Sequence, residues 1–579
     1  MPEPKPLPIA EQLIRQDSQL RSSLRNLHIR RLIEYPPLSI KNILFRNFEL
    51  AQAVETETEG GKKLTSEGLM RIEDLLREKG ALNITINREH KLNPTDAEGL
   101  PVVAATDNPA AAWPMPDHVW IRDQAQVIRS LMRIYQLDPK RYAEEGKMAK
   151  ELLTSALELM STPAQLARFD NIIAHTGDKE YVSHPHRWPH VFLALDNLNG
   201  EKQEKWAHKQ DAWQMLAIHV FEALDSGFMT MEELKTHPNW TRFLGLCAPF
   251  LAAVDFTNQE SSGSWEEITA RRRSVIGVET ALIYQIQKHF HTPGYSFLRE
   301  EFVEKIPELN QGAYKQLYSV PMLQEMAKEG VKLLPGLDFA CQIESINYSD
   351  NDPKWREYDA ALLNILDYDL PWPQEKAQGE TIATNGTNLF SVLKRYDIEG
   401  IRRYVGDSYQ GLNYYTPSVQ GKLRAMYAQT EINDLEGVNF FVGRGEIVPK
   451  GASAVWTHFV AQTGVQDARM LMERIKRNER VDESKLTFLK RMLLRSLSFV
   501  TGEGEFSVAP DEQGLYQPCP AKSWQMPECI ISWDLTREQD LDSYHAHTPS
   551  PNQPLFWSVA KLRELLATSI ELAKHLETP

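Results

Sequence analysis

The sequence predicts an all-α protein, a ring of helices rather than a layered sheet. Apolar residues recur at helical spacing in about a dozen segments. Strand-like alternation is sparse, and long polar connections rich in Pro and Trp join the segments. At 579 residues the chain exceeds what one hydrophobic core usually supports, so length calls for several domains or for an architecture that keeps extending its interior. A ring of helices extends in that way.

The elements follow in order. Residues 8–34 place Ile9, Leu13, Leu20, Leu24 and Leu27 largely on one helical face. This amphipathic, partly basic helix is expected to pack on the body or to make a homo-oligomer contact, rather than to bind a membrane. Similar spacing predicts helices at 123–136, 140–161, 203–225, 230–253, 268–290, 311–330, 354–367, 421–431, 453–478, 483–499 and 554–576. The long connections are 92–119, 162–200, 254–267, 368–388, 400–420 and 501–553, and loops of such length usually carry function. The expected organisation is an N-terminal helical segment (1–92), a linker or loop (93–117) and the main body (118–579).

Composition narrows the function. With 42% hydrophobic and 25% charged residues, and 34 Pro and 30 Gly spread along it, the chain reads as an ordinary globular protein. A net charge of −15 without a long basic block repels polyphosphate, so nucleic acid is excluded as a partner, whereas a neutral sugar feels little of that field. Cys247, Cys341, Cys519 and Cys529 show no zinc spacing. No apolar signal region or 18-residue apolar run is present, so no membrane partner and a cytoplasmic, reducing location are expected. His184, His186, His190 and His208 crowd one stretch, but no carboxylate or Cys stands at supporting spacing, and no metal is expected. Trp188, in the same stretch, is a candidate platform for a sugar ring.

Four runs could carry chemistry. Trp120-Ile121-Arg122-Asp123 opens a helix, so Asp123 fits a first-turn acid. The same run also sets an aromatic platform, a cation and an anion side by side, as sugar recognition requires. Glu260 through Glu267, with Trp265, precedes another helix. Its acids either complement a helix N-terminus or form part of the unequal carboxylate pair that glycoside hydrolysis uses. Gly400 through Tyr409 gathers Arg403, Tyr404, Asp407 and Tyr409. Met526-Pro527-Glu528-Cys529 lies between Trp524 and Trp533, where most acids would simply be solvated.

Together and in this order the runs resemble glycoside hydrolase family 15, the glucoamylases, and the related N-terminal region of the phosphorylase kinase α and β subunits. Trp120–Asp123 looks like the family's W-x-R-D motif, and Lys209-Gln210-Asp211-Ala212 its Q-x-D-A segment. Glu260–Glu267 is similar to the E-x-x-G-x-W-E block, Arg403–Tyr409 to R-Y-P-x-D-x-Y, and Pro527-Glu528 to the P-E of the second carboxylate. Pro554–Ser558 fits the opening of the closing helix. The resemblance spans roughly residues 110–576 and implies an (α/α)6 toroidal barrel of the six-hairpin glycosidase type.

It further implies an inverting hydrolase, without cofactor, that releases glucose from an α-glucan or oligosaccharide. Glu266 would be the general acid and Glu528 the base. Trp120, Arg122, Asp123, Trp265, Glu267, Arg403 and Asp407 would hold substrate. Two departures stand out: Val405 replaces the usual Pro, and Cys529 stands where Gln is common. They leave a second reading, a regulatory or carbohydrate-binding protein of the phosphorylase kinase kind without turnover.

Overall fold

A computed structural model describes residues 9–35, 38–40, 42–93, 95–109, 116–184, 187–201, 211–261, 263–265, 270–291, 317–334, 344–347, 359–368, 370, 390–393, 398–401, 403, 454–481, 483–510, 516–534 and 545–577. These are mostly helical, with a few short strands. The chain divides into two compact units. The first comprises Met1–Asn83, Thr106–Trp113 and Ala383–Pro579, and the second Ile84–Ala105 and Pro114–Ile382.

In the second unit, the Ile121–Leu137 helix packs against the Ala143–Met160 and Asp211–Asp225 helices. The latter meets the Arg273–His291 helix, which in turn contacts Val320–Lys332 and a 3-10 helix, Ala360–Asp367. Ile121–Leu137 and Asp211–Asp225 are buried around almost their whole circumference. A helix in that position must satisfy its polar side chains internally. Gln124 accordingly donates to the Leu152 carbonyl at 3.2 Å, and Arg129 pairs with Glu222 at 2.5 Å.

In the first unit, the Thr457–Lys476 helix lies between Phe556–Glu577 and Glu483–Ser498. Gly464 faces both neighbours: a Cβ there would stand 2.8 Å from a Leu565 methyl and 3.2 Å from Met492 Cβ. The unit also holds a five-stranded antiparallel sheet. Its order is His545–Pro549, Cys529–Asp534, Val455–Trp456, Ile398–Ile401, Phe390–Leu393.

Most of the expected helices are found, with differences. The 230–253 segment is two helices, Met231–Thr236 and Pro238–Ala253, because Pro238 starts a new helix at N1. The 354–367 segment is 3-10 from Ala360 on. Three helices of ten or more residues went unread, Phe48–Glu57, Ser66–Glu78 and Pro163–Ala174, the last inside an expected connection. Each is opened by a side-chain cap, from Asn47, Thr65 and Thr162 respectively. The expected 501–553 connection contains paired strands, Phe506–Pro510 with Tyr516–Pro520 and Cys529–Asp534 with His545–Pro549. The expected 421–431 helix lies outside the described residues. Among the described residues no helix is long and apolar enough to cross a membrane.

Candidate active site

Two junctions of the same design place the candidate residues, one in each unit. In the second unit His118–Trp120 pairs with Phe192–Ala194, and the chain turns from Trp120 straight into the Ile121–Leu137 helix. In the first, Val455–Trp456 pairs with Cys529 and Ile530 and turns into Thr457–Lys476. Each Trp is the N-cap in extended conformation without a side-chain capping bond, so each helix start is held by strand pairing instead. Both indoles are buried, and Trp120 stands edge-on to Phe192 at 4.5 Å.

At the first of these junctions Asp123 is half-buried in the opening helical turn. The Arg122 guanidinium is 4% exposed and reaches Asp211 through two bonds, 3.1 and 2.7 Å. It also donates to the carbonyls of Gly263 and Ser264 at 3.0 and 3.1 Å. Ser264 Oγ donates to Asp211 at 3.2 Å and accepts from Asn364 at 3.3 Å. The Gly263–Trp265 turn is thereby fastened to the helix that follows Trp120.

The loop carrying that turn is closed by reciprocal backbone bonds between Ser261 and Ala270, 2.9 and 3.1 Å. Gly263 has φ +65, and a Cβ there would meet the Arg272 side chain at 3.1 Å, so glycine fits on both counts. The next helix begins only at Arg273. Glu266 and Glu267 precede that start by seven and six positions in sequence. Both glutamates lie outside the described residues, as do Asp407 and the side chain of Trp265.

Behind Asp211 stands Glu279, fully buried. Loss of water, with the Asp211 charge next, pushes its carboxyl well above the usual range, and Gln214 donates to it at 3.4 Å. Its other oxygen has no partner among the described residues. A carboxyl held toward its protonated form is thus a neighbour of the Arg122–Asp211 pair. A second buried acid, Glu344, is raised to about 8, first by desolvation and then by Asp359, against the pull of Arg272 and Ser274. Its carboxylate accepts from the Ser274 backbone at 2.9 Å and from the Ser274 hydroxyl. Arg272 is buried here too, so its charge serves the interior.

At the other junction Glu528 is 7% exposed, which sets it apart from an ordinary solvated loop acid. Asn552 Nδ2 donates to its Oε2 at 2.6 Å, while the Glu528 backbone N–H donates to the Asn552 carbonyl at 3.0 Å. The Glu528 carbonyl accepts from the Thr457 N–H at 3.1 Å, tying the acid to the helix start. Thr457 Oγ1 also bonds Pro527 and Ser558, at 2.6 and 2.9 Å. Arg403, 3% exposed, lies over the Trp456 ring at 5.0 Å. His458 is buried, stacks on Trp557 at 4.3 Å, and neither ring nitrogen has a partner among the described residues. Burial, with Lys561 adding to it, lowers its pKa to about 3, so the ring is neutral.

Trp456, His458 and Asn552 were not singled out in the sequence. The available signal was the repeated Val-Trp before a helix, 119–120 and 455–456. Trp188 corrects another expectation: it is 2% exposed with its indole N–H on the Val182 carbonyl at 2.8 Å, and so belongs to the core rather than to a sugar platform. Of the four histidines, His190 is fully buried, His184 is exposed, and His186 and His208 lie outside the described residues. Among the described residues no His/Cys/Asp/Glu group could hold a metal.

The fold is of the all-α, six-hairpin (α/α)6 class to which glucoamylases belong. The glucoamylase from Saccharomycopsis fibuligera is similar at a TM-score of 0.52 and 12% identity, over 87% of this chain and 96% of that one. Also similar are a glycosidase variant in complex with glucose (TM-score 0.49, 13% identity, 88% and 99% covered) and the glucoamylase of Hormoconis resinae (0.47, 11%, 87% and 73%). No protein-family model and no curated protein sequence matches the chain.

Proposed function

We propose that the chain is an inverting glycoside hydrolase that releases glucose from an α-glucan or α-linked oligosaccharide without a cofactor. The observation that carries this is Glu528. The acid that the family resemblance marks as the base is buried and fixed by Asn552, beside an Arg-on-Trp pair. In this mechanism Glu266 protonates the glycosidic oxygen while Glu528 takes a proton from a water that attacks the anomeric carbon on the opposite face. Inversion at the anomeric carbon then converts an α-bond into β-glucose.

Trp120, Asp123, Trp265, Glu267, Arg403 and Asp407 contact the sugar. Arg122, whose donors face Asp211 and two loop carbonyls, contributes chiefly by positioning the loop that carries Glu266. The catalytic region is 118–579, with 1–92 as a helical segment joined through 93–117. The protein works in the cytoplasm, as a monomer or homo-oligomer.

The test incubates pure protein with maltose, maltotriose, isomaltose, trehalose and starch, and follows the released anomer by NMR. β-Glucose from the wild type, and its loss by roughly 10²–10⁴-fold in Glu266→Gln and in Glu528→Gln, are expected. α-Glucose as the first product, or turnover surviving Glu266→Gln, would refute the mechanism. Sugar binding without any turnover would instead establish the regulatory reading.

A further inference from the structure

The first unit contains a cavity that the proposed chemistry does not use. It is a small cavity of about 60 Å³ and lies against the Ile9–Glu34 helix, the Ile43–Phe45 strand, the end of Glu483–Ser498 and two strands of the large sheet. Its polar wall is His28, Arg31, Arg46, Arg495, Ser498 and His547, and its apolar wall Leu32, Leu44, Phe45, Phe499 and Ile530. None of these lining residues is acidic.

Three guanidiniums on one small cavity are unexpected in a chain of net charge −15. A structural role accounts for part of the arrangement. Glu505, 1% exposed, pairs with Arg31 at 2.8 Å and with Arg46 at 2.7 Å, tying the N-terminal helix to the C-terminal elements. Arg46 spends a further donor on the His547 carbonyl at 3.0 Å. Glu505 thus answers both, and Arg31 Nε, buried, has no acceptor among the described residues. Arg495, 3% exposed, lines the same cavity. The neighbouring His28 reports the same field: burial first, then the charges of Arg31 and Arg46, hold its pKa down at about 4.

The mouth differs in character. Leu32 on the cavity wall is 37% exposed and so stands where the wall meets solvent. Cations inside and an apolar side chain at the rim are complementary to one kind of molecule. We propose that this cavity binds an organic anion, a carboxylate or phosphate head held by Arg31 and Arg495 with an apolar chain lying along Leu32 and Phe499. The head supplies the acceptor that Arg31 Nε lacks. The chain covers rim surface that otherwise faces water.

Calorimetric titration of the full chain with hexyl phosphate, octanoate and inorganic phosphate tests this. At least one of the two organic anions is expected to bind at a single site, and their ratio tells a phosphate from a carboxylate ligand. Inorganic phosphate, lacking the chain, should bind at least about tenfold more weakly. Leu32→Glu puts a negative charge at the mouth and should weaken binding about tenfold or more, whereas Leu32→Gln should weaken it less. Leu32 is partly exposed, so both variants should keep the wild-type melting temperature. Three results would each overturn the proposal: no binding of either organic anion at millimolar concentration, equal affinity for inorganic phosphate, or Leu32→Glu binding like the wild type.

Discussion

Arg122→Lys separates two roles that Arg122 could have. Among the described residues its guanidinium makes four bonds, two to Asp211 and one each to the Gly263 and Ser264 carbonyls. A lysine ammonium can keep the charge beside Asp211 but is a point donor that cannot span both partners. Two buried carbonyls are then left without their donor, at about 1–3 kcal/mol each, or roughly 2–6 kcal/mol together. At about 2–4 °C per kcal/mol for a unit of this size, melting should fall by roughly 4–24 °C. Because the loss falls on the loop that leads to Glu266, kcat should drop by at least about tenfold while KM changes little. Differential scanning calorimetry and initial rates on maltose measure both. An unchanged melting temperature together with a tenfold rise in KM at constant kcat would mean that Arg122 grips the sugar and not the loop.

Other outcomes follow from buried groups. Glu279 has a folded pKa raised above its ordinary value, so the native state holds a proton that the unfolded chain releases; its stabilising effect is present at acid pH and lost as pH rises. Glu279→Gln should therefore be more stable than the wild type at pH 7 and lose that advantage towards pH 4, by urea unfolding; lower stability at pH 7 would contradict this. His458 has the opposite sign. Its folded pKa is depressed to about 3, so its contribution is present above about pH 6.5 and is lost as pH falls towards 3. His458→Phe should flatten the acid limb of a stability-versus-pH curve, and an unchanged limb would count against a buried neutral ring. Gly464→Val should destabilise by about 2 kcal/mol or more, because its Cβ would meet Leu565 at 2.8 Å; wild-type melting would show that the two helices can part.

The fold class was legible because helical periodicity is strongest where a helix buries one face or all of it, as in Ile121–Leu137 and Thr457–Lys476. The missed Pro163–Ala174 helix is short, and its proline at N1 reads locally as a loop signal. The short strands were illegible for another reason: Val455–Trp456 is two residues long and exists only because Cys529 and Ile530 lie beside it. Around the site, Trp120, Arg122 and Glu528 stood in recognisable runs. Asn552 did not, since its value comes from one long-range bond to Glu528. The partnership of Arg122 with Asp211 was equally hidden, because 89 residues separate them in sequence.

Beside the buried Arg122–Asp211 ion pair, Glu279 is held toward its protonated form, first by loss of water and then by the Asp211 charge. Ionising it would set a second negative charge in a dry interior that already holds one. The pair is thus spared a like-charged neighbour for as long as that proton stays in place.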